Sequence, residues 1–408
     1  MGEGRYLTAR RAAEELGVSL ATLYAYVSRG MIRSEAGGGS GRSRHYRAED
    51  VRRLKERKER RRDPDRVVEG ALHWGTQVME SAITLITDDK LYYRGRDAVA
   101  LAARSTIEEV AALIWTGDPS RSEELFPPEP PELSSRIRAD LGSGLPPIEA
   151  FQVALSLATT EDPAAYDLRP AAVARIGAHI LRLMANVAAG EAARGIAETL
   201  GRGWSPHDPG AKALLDSALV LCADHELPVS TFVSRCVASS EATPYAVVVA
   251  GLSAMGGVKH GGQTELVEAF MREAEDIGDA RGAISGRLRR GERIPGFGHS
   301  LYPGGDPRGA ELLRLTSAAY PDSPDVALST AVAEEALELI GERPTVDFGL
   351  VTLARTLGLP PGAAVALFAL GRTVGWIGHA IEQYEGGSLI RPRARYVGKS
   401  ISAGQHFS

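Results

Sequence analysis

"RIPGFGHSLYPGGDPRG", residues 293–309, sets two glycines around a phenylalanine, then a histidine, then an Asp-Pro-Arg turn. Gly296 and Gly298 allow a backbone to approach a ligand closely. His299 can donate or accept a proton near neutral pH. Arg308 offers a planar fork suited to a carboxylate. Taken together these residues describe an acid working on an anionic substrate. Taken alone, the stretch is equally a surface turn with a solvated arginine.

Three other places carry residues of the same kind. In "LCADHELPVSTF" (221–232), His225 stands between two carboxylates; the alternative is a helix-end histidine with a local hydrogen bond. In "GGVKHGGQTELVEAF" (256–270), His260 lies between glycine pairs just before a helix, a position that disfavours imidazolium and favours a neutral hydrogen-bond donor. A capping histidine is the alternative there. In "RPTVDFGLVTLARTLGLP" (343–360), Asp347 is the one acid in an apolar run. Burial would raise its pKa and make it a useful base, unless it is only the N-cap of a helix.

The bulk numbers frame these readings. A chain of 408 residues is long for one domain and suggests two or three. Its composition, 44% hydrophobic and 24% charged, is that of a water-soluble globular protein. No apolar run is expected to reach the roughly 20 residues that span a bilayer, and the first residues lack the apolar core of a signal peptide. Cys222 and Cys236 have no metal-binding or redox spacing. A cytoplasmic location is expected. Residues 1–66 hold 17 Lys+Arg against 10 Asp+Glu, a net of +7; the remainder, with 30 against 42, is −12. A basic segment on an acidic body suggests a polyanion-binding appendage.

In that first segment, "YLTARRAAEELGVSLATLYAYVSRGMI" (6–32) reads as two short helices around a tight turn. Thr8 caps the first, Gly17 ends it and Ser19 caps the second; Ala12, Ala13, Leu16, Leu23, Val27 and Ile32 take core spacing. The Gly-rich "EAGGGSG" leads to "RSRHYRAEDVRRL", a basic wing before another helix. The pattern resembles the winged helix-turn-helix of the MerR and excisionase type. The resemblance implies double-stranded DNA as partner, met by Thr22, Tyr24 and Arg29 of the second helix and by Arg42, Arg44, His45 and Arg47 of the wing. A protein-interaction module is the alternative. "RRLKERKERRR" (52–62) reads as a solvated helix or linker, and "DPD" (63–65) breaks it.

Beyond residue 67 helical periodicity dominates, with "ITLITDDKLYYRG" the best hairpin candidate. The ordered motifs "ADHEL…STF", "KHGG", "GFGH…DPR", "VDF" and "GRTVGWIGHAIEQ…LIRPRARYVG", with "ESAITLITDDKLYYRGRDAVALAARSTIEEVAALIWTG" upstream, resemble the citrate synthase family over residues 70–400. The fold implied is mainly α, a two-domain helical body behind a small winged helix-turn-helix. The domains are expected at 1–66, 67–261 with 359–408 (large) and 262–358 (small).

What the resemblance implies for chemistry is condensation of acetyl-CoA with oxaloacetate to citrate and CoA. Asp347 matches the base, His260 the neutral donor to the thioester oxygen, and His299 the acid at the ketone oxygen. His225, Arg308, Arg372 and Arg391 match the oxaloacetate ligands, with Arg391 reaching across a homodimer. Pro295, Gly296, Phe297 and Gly298 match a CoA-binding loop. Acetyl-CoA enters as a substrate, and no metal or other cofactor is implied. Val258-Lys259, Gln263-Thr264, Ser300-Leu301 and Gly349-Leu350 depart from common bacterial versions of the motifs, and these changes bear on acyl-donor and ketoacid choice. Two alternatives stand: a 2-methylcitrate synthase using propionyl-CoA, and a regulator that senses metabolites without turnover.

Overall fold

The computed structural model describes residues 6–28, 31–36, 44–47, 50–51, 79–129, 133–141, 144–394 and 396–398. The chain divides into two compact units, Met1–Glu80 and Ser81–Ser408. Arg29, Arg42, most of the Gly-rich loop, the charged run, its Pro break and the expected boundary at residue 66 lie outside the described residues.

In the first unit, α1 (Ala9–Glu15) starts at Thr8, whose hydroxyl accepts the Arg11 N–H. Ser19 plays the same part for α2 (Leu20–Ser28), accepting the Thr22 N–H. Ala12, Ala13, Leu16, Leu23 and Ile32 form the small core, joined by Tyr46 and Val51. The sequence reading placed no strand before α1. In fact β1 (Tyr6–Thr8) and β2 (Ser34–Ala36) flank β3 (Arg44–Arg47) in an antiparallel sheet. The pairing of Leu7 with Tyr46 spans most of the unit, so no local pattern announces it. Tyr24 is 51% exposed, Arg44 and His45 are exposed, and Thr22 and Arg47 are half-buried. Thr22 shares a hydroxyl hydrogen bond of 2.9 Å with Ser19. Buried Asp50 takes both the backbone and the guanidinium of Arg33, tying the segment after α2 to the one after the wing.

The second unit opens on the expected hairpin, β4 (Thr84–Thr87) with β5 (Lys90–Tyr93), extended by β6 (Arg96–Asp97). Asp88 and Asp89 turn it with φ of 50° and 56°, the left-handed pair that suits strand twist. Helices follow: α3 (Ala98–Ala102), α4 (Ile107–Thr116), α5 (Ser122–Leu125), α6 (Ser135–Leu141), α7 (Pro147–Glu161), α8 (Pro170–Ala189), α9 (Ile196–Trp204), α10 (Ala211–Cys222), α11 (Val229–Ala238) and α12 (Pro244–Met255). Then come α13 (Gln263–Ile277), α14 (Ala280–Arg289), α15 (Pro307–Ala319), α16 (Pro324–Ile340), α17 (Val346–Thr356) and α18 (Ala363–Gly386). Local chemistry sets several of their ends. Thr106 and Glu109 form a reciprocal capping box at the start of α4. Pro170 opens α8 at a position where its missing N–H is harmless.

Helix α18 is the axis of the body. Every residue from Ala363 to Ile381 is buried, against α4, α8, α10, α11 and α12. A Cβ on Gly375 would sit 2.3 Å from the Asp224 carboxylate, so glycine there lets α18 lie directly on the chain leaving α10. Helices α13 to α17 pack chiefly on one another, with α15 against α17 the most intimate pair. Contrary to the expectation that no apolar run reaches a bilayer's span, helices α8 and α18, 20 and 24 residues, are long and apolar enough to cross one. Both are instead core helices, 72% and 94% buried over their most apolar windows.

Candidate functional site

The four predicted stretches converge at the junction of α10, α15, α17 and α18. His225 follows α10 and is buried. Its Nε2 lies 2.8 Å from the Tyr302 hydroxyl, and its ring is 5.2 Å from that of His299. Tyr302 lies 5.0 Å from the His299 ring and under the Arg308 guanidinium, 5.8 Å away. Burial pushes His225 well below the usual imidazole pKa, and the nearby Arg308 and Arg372 charges push it the same way. Of the two acids beside it, Asp224 turns fully inward, accepting from Thr84 (2.6 Å) and lying 3.4 Å from His379.

His260 occupies the turn between α12 and α13. Its Nε2 is 2.7 Å from the Ser230 hydroxyl at the start of α11, and its ring meets Phe368 of α18 edge-on. This contact couples the hydroxyl to the ring tautomer: a Ser230 O–H that donates to Nε2 places the imidazole proton on Nδ1. His260 is neutral, its pKa lowered to about 4. Burial is the largest cause, followed by the Arg372 charge.

The His299 loop and the Asp347 helix are one piece of structure. Thr345 N–H donates to Gly296 O (2.8 Å) and Gly298 N–H to Arg343 O (3.0 Å). Phe297 bridges to Pro344 and packs 4.9 Å from Phe348. Gly296 and Gly298 have φ of +84° and +77°. A Cβ on the first would strike Val267, and on the second Glu342. These glycines serve the backbone bend and protein packing. Pro295, Gly296 and Phe297 are buried, and Gly298 is exposed.

Within this piece Leu301 N–H donates to His299 Nδ1 (3.2 Å), which leaves the ring proton on Nε2. The His299 pKa falls to about 4, through burial and Arg308, with Asp306 acting oppositely. Asp347 is in the first turn of α17, whose N-cap is Thr345. It is therefore not the capping aspartate that the sequence left open. Burial raises its carboxyl to about 6; Arg308 acts to lower it and Asp306 to raise it further.

Two guanidinium groups complete the cluster. Arg308 is buried and paired with buried Asp306, through Nε at 2.9 Å and Nη2 at 2.8 Å. Its side-on fork is thus taken by the protein, and the Nη1–Nη2 edge remains for a ligand. Arg372 donates Nε–H to Cys222 O (2.9 Å) and lies over Phe368. Among the described residues its buried Nη2 has no hydrogen-bond partner, and an unpaired guanidinium N–H is expensive to bury without an anion. Arg391 is exposed beyond α18, and among the described residues nothing joins it to the cluster.

Three members escaped the sequence reading as site residues. Ser230 and Tyr302 lie inside the stretches 221–232 and 293–309, where a hydroxyl near a histidine in sequence is the available signal. Asp306 was read only as part of a turn. Chemically, the cluster offers one carboxyl that titrates near neutrality, three neutral imidazoles, and two cations.

This arrangement has counterparts. Residues 71–393 match the family described as citrate synthase, C-terminal domain, and residues 7–61 match the MerR HTH family of regulatory proteins. Citrate synthase 2 of Bacillus subtilis is 29% identical over 355 residues, 79% of this chain and 94% of that protein. The citrate synthase of Haloferax volcanii is 31% identical over 365 residues, 80% and 94% of the two chains. 2-Methylcitrate synthase 1 of Corynebacterium glutamicum is 28% identical over 344 residues, 76% and 90%. Among solved structures, the citrate synthase of Thermotoga maritima aligns with a TM-score of 0.67 at 26% identity, covering 82% of this chain and 98% of that one. That of Thermoplasma acidophilum, in ternary complex with carboxymethyl coenzyme A and oxaloacetate, aligns at 0.72 over 80% and 95%. At 21% identity the second likeness speaks to the fold alone. With most of its length matched to one family and its body folded like solved members, the chain belongs to the citrate synthase family.

Proposed function

We propose that the body condenses acetyl-CoA with oxaloacetate, giving citrate and CoA, and that the first unit binds double-stranded DNA. The observation that carries the first part is Asp347, a carboxyl raised to about 6 on the same piece of structure as His299. A carboxylate of raised pKa is the stronger base that a weak carbon acid needs. Asp347 takes a proton from the acetyl methyl group while His260, through Nδ1–H, hydrogen-bonds the thioester oxygen as charge develops there. The new C–C bond forms at the ketone carbon of oxaloacetate, and His299 Nε2–H supplies the proton to its oxygen, leaving an imidazolate beside Arg308 that recovers a proton from the water that then hydrolyses citryl-CoA. Arg308 and Arg372, with His225, hold the two carboxylates; hydrolysis of citryl-CoA then frees citrate and CoA. Because both histidines are neutral, each donates a hydrogen bond without adding a charge beside the cations.

Arg391 and the loop 295–298 enter as proposals of a different kind, supported by motif position: Arg391 as a ligand given to the partner subunit of a homodimer, the loop as the CoA path. The relatives include both citrate and 2-methylcitrate synthases, which favours propionyl-CoA as the competing acyl donor. One methylene is worth only about 1–3 kcal/mol of discrimination. The test is thiol release dependent on oxaloacetate, with acetyl-CoA and propionyl-CoA compared by kcat/KM. Release with neither would overturn the enzyme reading and leave a metabolite sensor. The DNA reading is supported by the MerR match and by exposed Arg44, His45 and Tyr24. A cytoplasmic location fits the pair of free thiols.

A further inference from the structure

We propose that Asp306 is the positioning residue of this site, a carboxylate that fixes the clamp Arg308 and the base helix α17 in one register. The inference rests on the reading of the cluster as a condensation site, and it assigns Asp306 no contact with substrate. Its two oxygens are fully used. Oδ1 accepts from the Arg308 backbone N–H (3.0 Å) and Nε–H (2.9 Å). Oδ2 accepts from Arg308 Nη2–H (2.8 Å) and from the Val346 backbone N–H (3.0 Å).

The last bond is the informative one. Val346 opens α17, and the cap residue Thr345 makes no side-chain cap bond. Its N–H is one of the orphan donors of a helix start. Asp306 satisfies it from another element, while also capping its own helix α15. One buried carboxylate therefore caps two helices and pins a guanidinium, and the residue next to Val346 is Asp347. With Gly309 lying so close that a Cβ there would be 2.3 Å from Thr345 O, α15 and α17 have little freedom to slide once Asp306 is in place.

Asp306 also sets the charge balance. Asp347 is faced by Asp306 and Arg308 from α15 and by Thr345 from its own cap. From α10 it is faced by Cys222, whose thiol is pushed up to about 12 by burial; Arg372 of α18 stands beyond, against Cys222. Of these, Asp306 is the near anion. Removing its charge takes away repulsion on the Asp347 carboxylate and leaves Arg308 unopposed, so the Asp347 pKa falls.

The test is Asp306→Asn alongside Asp306→Glu, in the full chain, with circular dichroism to follow folding. For Asp306→Asn we expect KM for oxaloacetate raised and kcat lowered, each at least about tenfold, because an amide NH₂ then faces N–H donors. The acid limb of kcat should move to lower pH, whereas a variant that was only less stable would lose activity at higher pH. Asp306→Glu keeps the charge and misplaces it by one methylene, so KM should rise with the acid limb unmoved. A folded Asp306→Asn within twofold of wild type in both constants would overturn the proposal. So would a limb that stays in place or moves to higher pH. If Asp306→Asn does not fold, a folded Asp306→Glu with wild-type KM does the same. Should the wild type release no thiol, the enzyme reading has failed, and calorimetric oxaloacetate binding, weakened about tenfold in Asp306→Asn, carries the test of register.

Discussion

Ser230→Ala isolates a single hydrogen bond in the proposed reaction. Ser230 is fully buried, and its hydroxyl is 2.7 Å from His260 Nε2. Removing it has two consequences of similar size. If the proton stays on Nδ1, a buried ring nitrogen loses its donor, which costs about 1–3 kcal/mol. If the proton moves to Nε2, His260 presents a lone pair to the thioester oxygen and cannot stabilise it. Either way the transition state loses roughly 1.4 kcal/mol or more, so kcat should fall about tenfold. KM for oxaloacetate should be unchanged, because Ser230 touches His260 and not the cluster around Arg308. The assay is thiol release at saturating substrates, repeated in a His260→Ala background. There the serine has no partner, so the second loss should nearly vanish. A tenfold loss that persists without His260, or a single variant within twofold of wild type, would refute the tautomer argument.

Other outcomes follow from the same geometry. Arg308→Lys should raise KM for oxaloacetate far more than for acetyl-CoA, since a point charge can neither keep both oxygens of Asp306 nor present a planar edge to a carboxylate; equal effects in steady-state kinetics would remove it from the clamp. The raised carboxyl of Asp347 makes stability and activity oppose each other. Its contribution to stability is present below the unfolded carboxyl pKa and is lost between about pH 4 and 6, as it ionises in the folded protein. Asp347→Asn should therefore raise Tm at neutral pH and leave it nearly unchanged at pH 4, read by calorimetry. Mixed dimers of Arg391→Ala and Asp347→Asn subunits should regain activity if Arg391 acts in the partner's site. Deleting residues 1–80 should leave turnover within about threefold, because the site lies wholly in the second compact unit. The same deletion should abolish the salt-sensitive recovery of genomic DNA fragments expected of the full chain.

The site was legible where chemistry is written in residue type. Histidine between glycines, an aspartate in an apolar run and an arginine after Asp-Pro are each unusual enough to notice, and their order carried the family resemblance. What was not legible is what depends on distant partners. Ser230 is ordinary until α11 brings it to His260, 30 positions later in sequence. Asp306 reads as a turn former until Val346 arrives from 40 residues away. The same holds for the fold. Tyr6–Thr8 became a strand only because β3 passes beside it, and α18 looked unexceptional because length and apolarity alone do not tell a core axis from a bilayer span. The glycines at 296 and 298 stood out as places of close backbone approach; their positive φ was not legible, and the neighbours a Cβ would meet there are protein.

The central claim is that Asp347 removes the proton that starts the condensation. It is tested most directly by oxaloacetate-dependent thiol release from acetyl-CoA at neutral pH, wild type beside Asp347→Asn, with oxaloacetate affinity measured on both. The account predicts turnover by the wild type, a loss of at least about 10²-fold in the variant, and unchanged oxaloacetate binding. Turnover of Asp347→Asn within threefold of wild type would contradict it.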